Sequence, residues 1–238
     1  MPYCPNCGSE VDEDQRFCPK CGYDLDEERM PRRRGGAAKG AGEHLSTAFN
    51  IATSKPMVFV PTLIGGVISS IIGWLSAGMG YGGYRYSSGL VLLGALFSIA
   101  GGFFTYILSF ASIDMSRDAY LNRPLDLGES INYVLSRFLT FLIASIVGAL
   151  MSITIILIPV VILMFVIIVM DETGIGDAIG KAFSVLRRDL GDIILILLVS
   201  IIGSAILGYL PFTGILNAVL NVIIGIAFID IYHSYRML

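Results

Sequence analysis

The chain has 238 residues, of which 55% are hydrophobic and only 15% charged, with a mean hydropathy of +0.75 and a formal charge of -3. That balance excludes a soluble domain for most of its length and places the bulk of it in lipid. Charge is uneven: acids crowd the first thirty residues, Arg32, Arg33, Arg34 and Lys39 follow, and the start lacks the basic-then-apolar order of a cleavable signal peptide.

The first element is a pair of near-identical knuckles, Cys4-Pro5-Asn6-Cys7-Gly8 and Cys18-Pro19-Lys20-Cys21-Gly22, with ten residues between Cys7 and Cys18. Structural zinc needs four ligands converging tetrahedrally at about 2.3 Å, and a two-residue gap lets both sulfurs of a knuckle turn toward one ion. Pro5 and Pro19 stiffen each turn, and Gly8 and Gly22 are free to adopt the positive φ that aims backbone N–H groups at sulfur. Cys4, Cys7, Cys18 and Cys21 are therefore the expected ligands of one structural Zn2+, which decides whether a 25-residue module folds at all. A redox pair or a disulfide framework is the competing reading; two matching knuckles without a βαβ pattern speak against it. Thiolate ligands also suit a reducing compartment, so this end is expected in the cytoplasm. The paired CPxCG pattern resembles the short zinc ribbons at the ends of many bacterial and archaeal proteins, a resemblance that covers residues 1–25.

Residues 26–41 are expected to form a basic flexible linker, rich in Gly and without apolar periodicity. Its Arg32, Arg33, Arg34 and Lys39 suit anionic lipid headgroups, at about 1 kcal/mol per basic residue near the surface, or simply fix topology.

Residues 42–238 are expected to be an all-α polytopic membrane domain. Pro56 to Ala77 is 22 residues without a charge and Leu90 to Ile113 is again uncharged, so spans are expected over about 56–77 and 90–113. Phe138 to Met170 is 33 uncharged residues, which as one helix would run about 50 Å, far beyond the membrane. A hairpin turning near Ile155 to Pro159 resolves this into spans over about 138–155 and 159–170, the latter short enough to be re-entrant. Spans over about 193–207 and 212–230 bring the total to six. Lys55, Arg117, Arg123, Arg137, Lys181, Arg187, Arg188 and Arg236 then share the ribbon's side and Arg85 alone lies opposite, which places both termini in the cytoplasm.

Before each pair of spans comes the same pattern: Gly42-Glu43-His44-Leu45-Ser46-Thr47-Ala48-Phe49-Asn50, Gly128-Glu129-Ser130-Ile131-Asn132-Tyr133-Val134-Leu135-Ser136 and Gly176-Asp177-Ala178-Ile179-Gly180-Lys181-Ala182-Phe183-Ser184. In the third copy Ile175, Ala178, Ile179, Ala182, Phe183 and Leu186 recur at the spacing of one helical face. Such helices, over about 42–54, 127–137 and 175–188, are too polar to span and are expected to lie in the interface, with Asp126 starting the second. The repeat unit reads as an interfacial elbow followed by a two-span hairpin.

Small residues every fourth position, as in Gly94, Ser98 and Gly102 or Ala144, Gly148 and Ser152, are expected to mark helix contacts in lipid. The span over 159–170 has no such stripe and is expected at the periphery. Asn217, Asn221 and Gly225 share a face of the last span, as helix–helix glue or a cavity lining. Asp114, Asp171 and Asp230 each end an even-numbered span and oppose its dipole, so cations are expected beside them, Arg117, Arg137 and Arg187 or Arg188 being candidates; the alternative is a ring of three that binds a cation or relays protons. Asp230 and His233 share a face but do not by themselves make a metal site. No phosphate-cradling loop, HExxH or GxSxG is present.

With the elbows, the Gly-acid-Ala-Ile-x-x-Ala-Phe-Ser run and Phe228-Ile229-Asp230-Ile231-Tyr232 in place, residues 42–238 resemble a group of multi-pass prokaryotic membrane proteins that includes the membrane domain sometimes fused to glycerophosphodiester phosphodiesterases. The resemblance implies the architecture alone, because the catalytic barrel of those enzymes has no counterpart here. The expectation is a non-enzymatic, multi-pass protein of the cytoplasmic membrane, with a zinc ribbon for protein-partner binding or regulation and no nucleic-acid partner. The alternative is a carrier of a lipid or small amphiphile using a cavity between the hairpins.

Overall fold

The computed structural model describes residues 39–81, 88–209 and 213–237. Contacts divide the chain into a unit of residues 1–39 with Leu238, of which Lys39 alone is described, and a unit from Gly40 to Met237.

Among the described residues all regular structure is helical: α1 (Ala41–Ser54), α2 (Val60–Tyr81), α3 (Ser88–Tyr120), α4 (Leu127–Ser136), α5 (Phe138–Ser152), α6 (Ile158–Asp171), α7 (Ile175–Arg188), α8 (Leu190–Leu207) and α9 (Thr213–Arg236), with 3-10 turns at Pro56–Phe59 and Ile155–Leu157. The breaks have local causes. Pro56 has no N–H to continue α1 and biases Lys55 away from helix, so α1 stops and a 3-10 turn leads into α2. Asp126 sits extended before α4, where its carboxylate accepts from the N–H groups of Gly128 (2.7 Å) and Glu129 (3.1 Å). Thr154 is extended, and Pro159 falls in the first turn of α6, where its missing N–H costs nothing.

Four helical stretches are long and apolar enough to cross a membrane: Pro56–Gly73, Gly94–Tyr120, Leu190–Leu207 and Thr213–Arg236. Two further bent pairs, α4 with α5 at 75° and the Ile155–Asp171 stretch with α7 at 119°, raise the number to six if each counts as one span. The 33-residue apolar run does fold back on itself. Gly148 of α5 lies so close to α6 that a Cβ there would stand 3.0 Å from Val161. Each arm is about 20 Å long, shorter than a hydrocarbon core of about 30 Å.

The bundle is built in two shells. α3, α6 and α9 pack on one another at the centre, while α2, α5 and α8 lie outside and show apolar side chains such as Val67, Ile146 and Ile201 outward, as lipid-facing helices do. The expectation that 159–170 is peripheral is therefore wrong. α6 is central, with nine of its fourteen residues buried. It needs no small-residue stripe of its own, because the close approach is supplied by Gly148 on its partner and its own Val, Leu, Met and Ile side chains interlock with their neighbours. On α3 the stripe does not mark the contact at Gly102, which faces open space; the contact with α2 is made one residue earlier, where a Cβ on Gly101 would collide with the Ile72 side chain.

The elbow helices do not sit on the hairpins that follow them. α4 packs chiefly on α3, α7 on α6, and α1 on α9, so each seats on a central helix, and for α1 that helix is the last in the chain. Their burial runs in register. The third residues of the three copies, His44, Ser130 and Ala178, are buried, as are the seventh, Ala48, Val134 and Ala182, and the first, second and fifth are exposed in every copy.

Candidate functional site

The C-terminal ends of α3, α6 and α9 meet at one end of the bundle, and each carries one of the three aspartates in its own network.

Asp114 pairs with Arg117 at 2.8 Å, one turn along α3, with both side chains nearly buried. The Arg117 guanidinium also reaches Asp118 (3.1 Å) and donates to the Val169 carbonyl near the end of α6 (3.1 Å). Arg137 completes that cap by donating to the carbonyls of Glu172 (2.9 Å) and Thr173 (3.2 Å). Two arginines thus cover the negative end of the central helix, whose chain turns at Glu172 in a left-handed conformation.

Asp171 is held by Lys181 of α7, the hydroxyl of Tyr232 of α9 and Arg236, the last at 3.0 Å. Asp230 is fully buried. Its carboxylate meets His44 Nδ1 of α1 at 2.7 Å and accepts from the Tyr120 hydroxyl of α3 at 2.6 Å. Asp192 in the first turn of α8 accepts from the Ala41 N–H (2.8 Å), which satisfies a donor in the same first turn of α1 that carries His44.

The expected cation is thus found beside Asp114, as Arg117, and beside Asp171, where it is Lys181 and Arg236 and not one of the named candidates, while Asp230 meets His44 and Tyr120. Arg137 caps carbonyls instead; Arg188 lies over the Tyr235 ring, 5.7 Å from its centre; Arg187 is exposed and has no partner among the described residues. Asp230 turns to His44 and not to His233, whose ring packs on Tyr120 at 5.1 Å between centres. No group of three or more His, Cys, Asp or Glu able to hold a metal is present among the described residues. Because the His44–Asp230 pair is buried and spans 186 positions of chain, its partners are expected to be strongly coupled: His44→Ala and Asp230→Ala should each destabilise the bundle and the double variant should cost about 2 kcal/mol less than their sum, read by thermal unfolding in detergent.

Among the described residues the amides on α9 make no interhelical hydrogen bond. Asn217 donates to Thr213 of its own helix (3.1 Å), and its Oδ1 is buried with no hydrogen-bond partner among the described residues. Asn221 borders two small cavities, one of about 200 Å³ toward α2 and one of about 260 Å³ toward α6 and α8.

Cys4, Cys7, Cys18 and Cys21 and the basic residues Arg32, Arg33 and Arg34 lie outside the described residues; Lys39 is exposed and has an interaction partner. For the cysteines the comparison with known families speaks directly: the model of the zinc-ribbon domain matches residues 3–25, and the chain carries such a domain there. Four thiolate donors at CxxC spacing fit the one zinc ion that fold implies. No curated protein and no solved structure matches the chain, so residues 42–238 find no relative among them, the phosphodiesterase-associated membrane domain included.

Proposed function

We propose that this is a non-enzymatic, six-span protein of the cytoplasmic membrane whose zinc ribbon binds a protein partner or regulates the bundle. The observation that carries the reading is the zinc-ribbon domain at residues 3–25, joined through a basic linker to a helical body whose charged residues serve its own architecture. Asp114, Asp171 and Asp230, the carboxylates best placed for acid–base work, are each taken up by partners that hold helices together. The excess of Lys and Arg on the end where α3, α6 and α9 terminate supports a cytoplasmic location for that end and for both termini. Arg32, Arg33, Arg34 and Lys39 then lie within reach of anionic headgroups.

The shared burial register of the three elbows, and their seating on α3, α6 and α9, support a threefold repeat in which the spatial unit is a hairpin followed by its elbow, the N-terminal α1 completing the last unit. The carrier reading has less behind it. Cavities of about 260 and 200 Å³, and an apolar one of about 300 Å³ between the α5–α6 turn, α7 and α8, reach at most the lower bound of pockets that enclose drug-sized ligands, about 300–1,000 Å³, and stay well below an amphiphile with its chain.

Affinity capture with the full chain and with a chain lacking residues 1–25 tests the proposal. Partners that disappear on deletion support it; an unchanged set of partners counts against a ribbon adaptor. Short ribbons also serve nucleic-acid binding, so nuclease treatment during capture separates a protein partner from a nucleic-acid bridge.

A further inference from the structure

We propose that the cavity between α2, α3 and α9 is a binding site for a monovalent cation, inorganic or ammonium. The cavity is about 200 Å³ and is lined by Thr62 and Ser69 of α2, Thr105 and Ser109 of α3, and Asn217 and Asn221 of α9. Thr105 lies nine residues before Asp114, so the site sits about 14 Å along α3 from the charged end, at hydrocarbon depth. Polar groups at that depth need partners, and those they have define the ligand.

The hydroxyl protons are already spent, those of Thr62, Thr105 and Ser109 on carbonyls three or four residues earlier in the chain. Thr62 donates to the Phe59 carbonyl (2.9 Å), Thr105 to Gly101 (2.9 Å) and Ser109 to Thr105 (2.8 Å). Since the Thr105 proton is committed, Ser69 is the donor in its 3.5 Å contact with Thr105. Asn217 spends an amide proton on Thr213, and its buried Oδ1 has no donor among the described residues. What these side chains offer the cavity is mainly oxygen lone pairs; among the described residues the donors left over are the amide N–H groups of Asn221 and the second N–H of Asn217. A site rich in acceptors takes a donor or a cation. It holds no carboxylate, and neutral oxygens replace the hydration shell of a monovalent ion far more readily than that of a divalent one. The volume leaves room for the ion and a few waters at about 30 Å³ each.

The test uses the full chain in phosphatidylcholine nanodiscs, unfolded thermally at constant ionic strength in the chlorides of sodium, potassium, methylammonium and N-methylglucamine. The expected result is a saturable rise of about 2 °C or more in the midpoint for one of the small cations relative to the bulky one. Asn217→Leu should abolish it, and Asn217→Asp, which adds a charge to the same oxygen position, should lower the half-saturating concentration about tenfold. The sodium, potassium and methylammonium arms tell an inorganic ion from an amine. Equal midpoints in all four salts would overturn the proposal, as would a cation effect that survives Asn217→Leu; if that variant does not fold, an unshifted titration in Asn217→Asp overturns it instead.

Discussion

Replacing Arg117 with methionine is expected to destabilise the bundle by about 3–5 kcal/mol, the cost of leaving a buried carboxylate without its cation. Asp114 is only 2% exposed, and water cannot take over from the guanidinium. The same side chain reaches Asp118 and caps Val169 on α6, so its loss also frees a carbonyl at the end of the central helix. Arg117→Lys should recover only part of the stability, since one ammonium cannot serve carboxylates on α3 and a carbonyl on α6 together. Arg117→Met combined with Asp114→Leu should be more stable than Arg117→Met alone. The check is the unfolding midpoint of the four proteins in one detergent; an Arg117→Met variant within about 1 kcal/mol of the parent would show that the pair contributes nothing.

Removing zinc should have the largest local effect. Structural zinc contributes on the order of 10 kcal/mol or more to modules of this size, and residues 1–25 have too little apolar surface to fold without it. Chelation, or Cys18→Ser, is expected to make that segment sensitive to protease while the helical circular dichroism of the membrane body stays unchanged. Metal analysis should return one zinc per chain for the parent and none for Cys18→Ser; well below one in the parent would remove the ribbon as a zinc module.

The helices themselves were legible in the sequence because apolar runs bounded by Pro, Gly and charged residues leave few ways to fold in lipid. The length of the run from Phe138 to Met170 forced a hairpin, and Pro159 marked its return. Which helices are central was not legible. Ile158 to Val169 is apolar on every side, so hydropathy cannot tell a face in lipid from a face in protein. Small residues misled for a related reason: Gly102, pointing outward, costs α3 little, and only the packed geometry singles out Gly101. In the charged end the sequence carried the local pair, Asp114 with Arg117 three residues on, but Asp230 with His44 joins opposite ends of the chain and leaves no local trace. The unpartnered oxygen of Asn217 was also out of reach, because it depends on where an amide proton goes.

The seating of α1 on α9 bears on how the protein is made. α4 and α7 each follow directly on the helix that receives them, so both can dock as soon as they are made, whereas the surface that receives α1 is completed only when α9, made after all the other described helices, has left the ribosome. The first elbow to be translated is thus the last to be seated, and a chain stalled before Asp230 has no carboxylate to offer His44. Engagement of α1 therefore waits for α9, whereas α4 and α7 need only the helix made just before them.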